Sequence, residues 1–371
     1  MYKKKILFLI PTLGGGGAER VLVDLVNGMD KTKYDITIQT LFKAGVNASG
    51  LSNNVRLVEG RLKQFSGNVL LLKLFSPKFL YRFFIKFQYD VLISYLEGPT
   101  ARIISGCPSS NVKKLSWIHT IHKNLKETYY SFRSKDEASI CYQSFDKMIY
   151  VSRDVMENFS SYYPELKDNT VLYNTYDDAK IIRMASEPLC NVVLSNEINI
   201  VSVGRLVPLK GFDRLIEVHH RLKKNGIKNH VYILGTGVLE NELKKLVKKN
   251  GDTDTVHFLG FYSNPYSVVS RCNVYVCSSH REGFSTAVTE ALILGIPVVT
   301  TSVSGAYEQM GENNEFGIVT ENSTDGLYNG LRQLLNSKEQ LDYYTKKALI
   351  RGGFFSKKNS IKAVEKVIDS L

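Results

Sequence analysis

Residues 278–305 read SSHREGFSTAVTEALILGIPVVTTSVSG. They follow an apolar run at 273–277 and contain a loop, a helical pattern at 286–294 closed by Gly295, and a second apolar run at 296–300. This order of strand, loop, helix, glycine and strand predicts a βαβ unit whose loop lies at the carboxyl end of its first strand. Because ligands of open α/β sheets bind at that edge, we expect the loop to contribute to a binding site.

Two carboxylates frame this loop. Glu282 lies at the predicted helix entrance, among backbone N–H groups without helical partners, and Glu290, eight residues later, lies about one turn into the helix. The free amides and the helix dipole favour an anion at this end of the helix, and carboxylates accept hydrogen bonds from sugar hydroxyls. Either glutamate alone could equally be a solvated residue at a helix start, so the interpretation depends on residues upstream.

Three upstream strand patterns each end at a glycine. The apolar runs at 199–203, 230–234 and 256–259 are followed by glycines at 204, 235 and 260, which is typical of a doubly wound sheet. The first of these loops also contains Arg205 and Lys210. A guanidinium fork and a mobile ammonium on one strand-to-helix loop are suited to phosphate oxygens.

The motifs of the second half carry a resemblance to a known family. Glu282-Gly283-Phe284, Glu290-Ala291, Gly295, Pro297-Val298-Val299 and Gly305 resemble the signature of the retaining glycosyltransferases of family 4. The resemblance implies an α/β fold of the GT-B kind, with two doubly wound Rossmann-like domains facing across a cleft. It implies an acceptor-binding domain at 1–180, a nucleotide-sugar domain at 195–352, and a tail helix at 353–371 that crosses back to the first domain.

The same resemblance implies an activity. The enzyme would move a sugar from a nucleoside diphosphate sugar, with UDP expected, to a glycan or undecaprenyl-linked acceptor in cell-surface polysaccharide synthesis, without a metal or other cofactor. The implied catalytic residues are Glu282, His119, Arg205 and Lys210. The implied donor-binding residues are Gly16, Gly17, Gly204, Arg205, Lys210, Gly235, Gly260, Phe261, Glu282, Gly283, Phe284, Ser285, Thr286 and Glu290, and the implied acceptor-binding residues are Gly15, Glu97 and His119.

Two alternatives share these motifs only in part. A sugar-nucleotide 2-epimerase has the same two-domain fold but would form product from the donor alone. A non-catalytic partner subunit of a glycosyltransferase would be expected to have lost Arg205, Lys210 or Glu282, and all three are present.

A glycine-rich turn follows the first apolar run. Residues 5–10 predict a buried parallel strand, and the glycines at 14–17 lead into a helix. The dinucleotide fingerprint G-x-G-x-x-G fails here, because position 19 is Glu. A plain tight turn remains an alternative to a loop that approaches a ligand.

Two polar residues follow later strand patterns of the first half. The run at 89–95 leads to Glu97, and the run at 114–117 leads to His119. Both are therefore expected at the ligand-binding edge of the sheet. His122 is the alternative candidate for the functional histidine.

Residues 61–89 combine apolar and basic side chains and contain no acidic residue. Pro77 is expected to divide the segment into two short helices. Apolar and basic character together indicate contact with an anionic membrane surface, although ordinary core and ordinary surface would produce the same composition. We therefore expect a peripheral enzyme on the cytoplasmic face of the membrane.

Composition limits the remaining possibilities. The 371 residues favour two domains, and five cysteines without metal-ligand spacing favour a reducing compartment. The net charge is +12, and no nucleic-acid recognition motif accompanies it. No apolar run is long enough for a transmembrane helix or a signal peptide.

The remaining stretches give weaker expectations. The pair Asp252 and Asp254 resembles a metal-binding motif but precedes a strand, at the edge where ligands do not bind. Residues 177–196 have no clear period and are expected to form a hinge. Helical patterns at 325–336, 338–351 and 361–371 complete the chain.

Overall fold

The computed structural model describes residues 2–60 and 67–371. The chain divides into two compact units: unit 1 comprises Met1–Tyr176 with Lys357–Leu371, and unit 2 comprises Asp177–Ser356. Among the helices of the described residues, none combines the length and apolar character needed to span a bilayer.

Strands and helices alternate through both units. The strands are β1 Lys4–Ile10, β2 Tyr34–Thr40, β3 Val55–Val58, β4 Val91–Tyr95, β5 Lys113–Ile118, β6 Lys147–Tyr150, β7 Asn169–Val171, β8 Ile198–Val203, β9 Asn229–Leu234, β10 Val256–Gly260, β11 Val274–Cys277, β12 Val298–Thr301 and β13 Ile318–Thr320. The helices are α1 Gly17–Gly28, α2 Asn68–Lys73, α3 Pro77–Phe84, α4 Pro99–Ser105, α5 Leu125–Thr128, α6 Lys135–Gln143, α7 Arg153–Tyr162, α8 Asp178–Ala185, α9 Phe212–Lys224, α10 Glu240–Asn250, α11 Pro265–Val269, α12 Thr286–Ile293, α13 Ala306–Met310, α14 Thr324–Leu335, α15 Lys338–Phe354 and α16 Lys357–Asp369.

The sheet of unit 1 is parallel. Within the described residues it has seven strands in the order β3-β2-β1-β4-β5-β6-β7. Residues 6–10 of β1 are fully buried, as expected for a strand covered by helices on both faces. The strand order reverses between β1 and β4, and ligands of such sheets bind at this switch point, beyond the carboxyl ends of the strands.

The sheet of unit 2 repeats this arrangement. Its described part has six parallel strands in the order β10-β9-β8-β11-β12-β13, so the switch point lies between β8 and β11. Its core lies under β8, β9 and β11 and includes Ile200, Ile233 and Val276. The predicted fold class of two doubly wound parallel sheets is confirmed by both topologies.

Several short elements were not expected from the sequence. The range 177–196, expected to lack periodic structure, contains α8, whose first turn is capped by the Asp177 carboxylate accepting the Lys180 N–H at 3.0 Å. Strand β13 and helices α11 and α13 were not predicted, because elements of three to five residues are too short to show a period.

The C-terminal helix α16 packs within unit 1. The Lys4 ammonium donates to the carbonyl of Ile368 at 2.9 Å, and the Glu365 carboxylate accepts the N–H of Asp30 at 2.8 Å. The Tyr34 hydroxyl donates to Asp369 at 2.6 Å. These bonds fasten α16 to β1, β2 and the end of α1, although the helix follows unit 2 in the sequence.

Candidate active site

The two predicted donor loops of unit 2 meet at one edge of its sheet. β8 and β11 are parallel neighbours, with Ile200 beside Val274, so their carboxyl ends point the same way. The Ser278 hydroxyl donates to the carbonyl of Lys210 at 2.9 Å, and the N–H of His280 donates to the carbonyl of Leu209 at 2.8 Å. The loops after β8 and β11 are therefore fastened to each other.

An ion pair joins the same loops. The Lys210 ammonium lies 2.6 Å from Glu282 Oε1, which also accepts the Ser279 hydroxyl at 2.6 Å. The side chains of Lys210 and Glu282 are 25% and 12% exposed, so each retains access to solvent. They line a small cavity together with Ser202, Tyr275 and Ser285. A partly desolvated cation and anion in fixed positions suit a ligand that carries both phosphate and hydroxyl groups.

Arg205 lies at the same edge. It is exposed in the loop that directly follows β8, and its guanidinium has no hydrogen bond or ion pair within the parts of the chain that the structure describes. The structure thus places Arg205 and Glu282 at the same edge of the sheet, as the donor-site hypothesis requires. Arg205 remains available to an anion.

Three glycines continue this edge along the sheet. The N–H of Gly235 donates to the carbonyl of Gly260 at 2.7 Å, and the N–H of Gly204 donates to the carbonyl of Leu234 at 2.9 Å. Gly235 has φ +138°, and a Cβ there would lie 1.9 Å from the Gly204 carbonyl oxygen. Glycine is therefore required at 235 for the loops after β8 and β9 to approach each other. Phe261, next to Gly260, is largely exposed.

The amino end of α12 is open. Its N-cap is Ser285, whose side chain makes no capping hydrogen bond to the first turn. The Thr286 end of the helix therefore presents backbone N–H groups and the positive end of the dipole to this edge. The Phe284 side chain is buried and packs edge-to-face against Phe355, with ring centroids 5.8 Å apart, so the ring itself is not exposed at this edge. The carbonyl of Gly283 accepts the Ser304 hydroxyl at 2.8 Å, which fixes the turn.

Glu290 is more buried than a helix-start residue would be. Its side chain is 7% exposed, and its Oε1 accepts the Tyr266 hydroxyl at 3.1 Å. Tyr266 lies in α11 and was missed from the sequence, where only the turn-forming pair Asn264-Pro265 marks that helix. Ser279 was also missed, although it stands three positions before Glu282.

Two of the three expected acceptor residues, Glu97 and His119, also meet in unit 1. β4 and β5 are parallel neighbours, with Tyr95 beside Trp117. Glu97 Oε2 accepts the N–H of His119 at 2.9 Å, and its Oε1 accepts the Thr120 hydroxyl. The His119 ring packs against Tyr95, with centroids 4.6 Å apart. Burial lowers the pKa of His119 to about 3, so the imidazole is neutral.

His122, the alternative histidine, belongs to another environment. Its N–H donates to the Asn158 side chain at 2.8 Å, and its ring packs against Phe159 at 5.7 Å. Both partners lie in α7, beyond the end of β6. The structure thus associates His119, and not His122, with Glu97 at the ends of β4 and β5.

The glycine loop has no residue with positive φ among Gly14, Gly15, Gly16 and Gly17. These glycines therefore do not form a turn that requires left-handed backbone, whereas a type I turn, which needs no positive φ, remains an alternative. A Cβ at Gly16 would collide with the Glu19 carboxylate, whereas one at Gly15 would meet only Val46, at 3.9 Å. What the missing side chains provide is open backbone, which suits close approach of a ligand.

The Asp252 carboxylate forms part of the structure of unit 2. It is buried, and it accepts hydrogen bonds from the Lys223 ammonium at 2.9 Å and from His220 Nδ1 at 2.8 Å. Together these hydrogen bonds lower the pKa of Asp252 against the opposing effect of burial. The expectation that this motif lies away from the ligand edge agrees with its position before β10.

Two sequence families match this chain, one in each half. Glycosyltransferase Family 4 matches residues 15–180, and Glycosyl transferases group 1 matches residues 191–351. Together the two matches include every candidate residue named above.

Two relatives come from Campylobacter jejuni. One is an N-acetylgalactosamine-N,N'-diacetylbacillosaminyl-diphospho-undecaprenol 4-alpha-N-acetylgalactosaminyltransferase, 29% identical over 95% of this chain and 96% of its own length. The other is a GalNAc-alpha-(1->4)-GalNAc-alpha-(1->3)-diNAcBac-PP-undecaprenol alpha-1,4-N-acetyl-D-galactosaminyltransferase, 27% identical over 85% of this chain and 84% of its own length.

Solved structures share the fold over the whole chain. Anabaena Alr3699/HepE in complex with UDP and glucose aligns with a TM-score of 0.77 at 19% identity, covering 99% of this chain and 100% of that one. Sucrose-phosphate synthase from Thermosynechococcus elongatus aligns with a TM-score of 0.79 at 14% identity, covering 99% of each chain. With the two family matches and the two parallel sheets, the chain is a glycosyltransferase with the GT-B fold, with a Glycosyltransferase Family 4 domain in its first half and a Glycosyl transferases group 1 domain in its second.

Proposed function

We propose that this glycosyltransferase transfers a sugar from a UDP-linked donor to a lipid-linked glycan, with retention of configuration and without a metal. The observation that carries the proposal is the Lys210–Glu282 pair, 2.6 Å apart beside the uncapped amino end of α12. A nucleoside diphosphate sugar has an anionic part for the cation and amides and a hydroxyl-bearing part for the carboxylate.

Each group of the donor has a matching set of residues. Arg205, Lys210 and the first amides of α12 would offset the charge that develops on the departing phosphate, which is the task a metal performs in other transferases. Glu282 would accept hydrogen bonds from sugar hydroxyls, with backbone contacts from residues 283–286. Glu290 would hold the ribose. The glycines at 235 and 260 with Phe261 would border the base, and Gly16 and Gly17 would approach the donor.

The departing phosphate oxygen also has a proposed chemical role. As the bond from the anomeric carbon to this oxygen breaks, the oxygen becomes a base that can take the proton of the incoming acceptor hydroxyl. Attack would then come from the face that the phosphate leaves, which retains the configuration. The neutral His119 imidazole would stand beside the sugar, with Gly15 and Glu97 on the acceptor side.

The relatives support a lipid-linked acceptor. Both Campylobacter enzymes are named for undecaprenol-linked substrates and for transfer of N-acetylgalactosamine. We infer an acceptor of the same class, a glycan on a polyprenyl diphosphate, and a place in the assembly of a cell-surface polysaccharide. The donor sugar follows from a screen that measures UDP or GDP release across a panel of sugar nucleotides.

Two variants test the donor site. Glu282→Gln and Lys210→Ala are each expected to lower kcat at least 100-fold, the order of effect seen when one electrostatic donor is removed from a transition state. Lys223→Ala is the matched control. It also breaks a lysine–carboxylate pair of unit 2, in which Lys223 lies 2.9 Å from Asp252, but this pair lies near the amino end of β10, at the edge of the sheet opposite the donor loops. Near-wild-type turnover of both site variants would overturn the assignment, and product formed without acceptor would indicate an epimerase.

We also propose that α2 and α3 contact an anionic membrane. The described residues 67–89 contain no acidic side chain and expose a set of large apolar ones. These are Leu70, Leu71, Leu74, Phe75, Phe79, Phe83 and Phe87. The rings of Phe75, Phe79 and Phe83 stack in a row, with successive centroids 5.0 and 6.3 Å apart. Residues 61–66 of the originally predicted segment lie outside the described residues.

Buried partners show that this exposure is not a failure to pack. Leu72, Leu80 and Ile85 of the same segment belong to the core of unit 1 with Leu92 and Ile103. Helices α2 and α3 therefore have an inner face that packs in the core and a separate apolar outer face that is exposed. An apolar outer face with lysines and arginines around it is typical of proteins that bind the interface of anionic bilayers.

Flotation with liposomes tests this contact. The wild type is expected to float with vesicles containing phosphatidylglycerol and to be released by high salt. Phe79→Ser should weaken flotation several-fold, since each buried aromatic ring contributes through its apolar area. Ile140→Ser is the control, because Ile140 is an exposed apolar residue of unit 1 on α6. Equal flotation of both variants and the wild type would refute the assigned surface. We propose the inner face of the cell membrane as the place of this contact.

A further inference from the structure

The turn after β4 adopts an unfavourable backbone conformation. Leu96 has φ +82° and is followed by Gly98 at φ +93°. A leucine in the left-handed region costs free energy, and such conformations persist only where neighbours determine them. Here the carbonyl of Leu96 accepts the Thr100 hydroxyl at 2.7 Å and the Ser94 hydroxyl at 3.0 Å. These bonds hold the turn in the conformation that presents Glu97.

The Glu97 carboxylate connects this turn to the end of β5. One oxygen accepts the backbone N–H of His119 at 2.9 Å, and the other accepts the Thr120 hydroxyl. Both oxygens thus hold the two residues that follow the strand. A carboxylate that accepts a backbone N–H forms a charge-assisted hydrogen bond, which is stronger than a neutral one.

The His119 side chain has little else to hold it. It is 7% exposed, and its ring contacts Tyr95 and Trp117, with centroids 4.6 and 6.0 Å away. Its Nε2 is buried and has no hydrogen-bond partner among the described residues. The ring is therefore positioned by packing and by its own backbone, and the backbone N–H is held by Glu97.

We propose that Glu97 is a positioning residue that sets the place and burial of the His119 imidazole, and that it acts on the acceptor side through His119. The proposal refines the proposed function, which treats His119 as part of the reaction site. The strained turn at Leu96 then has a role, because it places the Glu97 carboxylate beside the N–H of His119, the residue that follows the neighbouring strand β5. Glu97 then contacts the protein backbone in place of the sugar.

Histidine NMR on the full-length protein tests this positioning directly. In the wild type, the ring resonance of His119, assigned by its loss in His119→Asn, is expected to show no titration between pH 5 and 8. In Glu97→Ala the His119 N–H and the Thr120 hydroxyl lose their acceptors, so the ring should gain water access and titrate near the ordinary histidine pKa of about 6.5. Glu97→Gln keeps one acceptor oxygen and should fall between the two.

The matched control is Asp146→Asn. Asp146 Oδ2 accepts the N–H of Lys114 at 2.8 Å, so it makes the same kind of bond to β5 at the opposite end of the strand. This variant should leave the His119 resonance unchanged. An effect equal to that of Glu97→Ala would mean that any loosening of β5 releases the ring, and it would overturn the specific role of Glu97.

Kinetics separate positioning from direct binding. Glu97→Ala is expected to lower kcat about 100-fold, the order of effect of a displacement of about 1 Å, with little change in the acceptor KM. A raised acceptor KM with normal kcat and an unchanged His119 resonance would show that Glu97 binds the acceptor itself, and would overturn the proposal. The NMR result does not depend on which reaction is catalysed, so failure of the proposed function and failure of this inference remain distinguishable.

Discussion

The Lys210–Glu282 ion pair predicts an unusual response to Glu282→Gln. In the structure the Lys210 ammonium is held by Glu282 Oε1 at 2.6 Å, so a diphosphate must compete with this carboxylate for the cation. Glutamine keeps the shape of the side chain and an oxygen for the Ser279 hydroxyl, but it removes the negative charge. UDP has no donor sugar that needs Glu282. UDP should therefore bind the variant more tightly, although turnover of the UDP-sugar is lost.

The size of the effect follows from the exposure of the pair. Two unit charges about 4 Å apart interact by about 4 kcal/mol at an effective dielectric constant near 20. Lys210 is 25% exposed and Glu282 is 12% exposed, so solvent screening and desolvation reduce the net value. We therefore expect removal of the competing carboxylate to strengthen the binding free energy of UDP by about 1 kcal/mol. This corresponds to a dissociation constant about fivefold lower.

Isothermal titration calorimetry with UDP measures this change. The titration is run for the wild type, for Glu282→Gln and for Asp252→Asn as the control. Asp252 pairs with Lys223 and not with a residue of the donor loops, so its neutralisation should not affect UDP. Only Glu282→Gln should bind UDP more tightly, and the gain should diminish at high salt. Weaker binding of UDP to Glu282→Gln would refute the reasoning, because it would show that the carboxylate assists the diphosphate site and does not compete with it.

Three further outcomes are expected from the same structure. Between pH 6.5 and 5 the free energy of unfolding should fall by up to about 2 kcal/mol, because His119 becomes protonated in the unfolded state but stays neutral in the folded state, where its pKa is about 3. In chemical denaturation, His119→Asn should lack this part of the decrease. Gly235→Ala should destabilise by more than about 2 kcal/mol, whereas Gly226→Ala, where no neighbour lies within 4 Å of a Cβ, should cost only about 1 kcal/mol in thermal unfolding. Arg102→Met should speed proteolysis within α2 far more than Arg133→Met, because Arg102 is 1% exposed and donates to the carbonyls of Leu72 and Phe75, both at 2.7 Å.

The fold was predictable because its strands are long or strongly apolar. The order of strand, loop, helix, glycine and strand at 278–305 corresponds to β11, α12 and β12, with α12 ending one residue earlier than expected. Parallel sheets bury both faces of their strands, so the apolar runs were visible without any period. The shortest elements escaped notice, since β13 has three residues and α11 has five.

The membership of the candidate site was more predictable than its bonding. Loops at the carboxyl ends of neighbouring parallel strands must share an edge, which is why Arg205, Lys210 and Glu282 could be grouped from sequence alone. No such rule indicates that Lys210 pairs directly with Glu282, or that Tyr266 donates to Glu290. These bonds depend on loop conformations, and the loops were recognised only by their position between periodic segments.

The Lys210–Glu282 pair also explains how the donor loops keep both charges in place. A Glu282 carboxylate without a cationic partner would be costly at 12% exposure, and it would repel a diphosphate. Lys210 offsets that cost and is solvent-accessible enough to turn toward phosphate. When it does, sugar hydroxyls can replace the ammonium as hydrogen-bond donors to Glu282. Binding of phosphate by the cation and of sugar by the carboxylate would then depend on each other, so a donor with both parts gains more than the sum of its fragments. UDP and free sugar tested separately should therefore bind wild-type protein disproportionately weakly compared with the intact UDP-sugar.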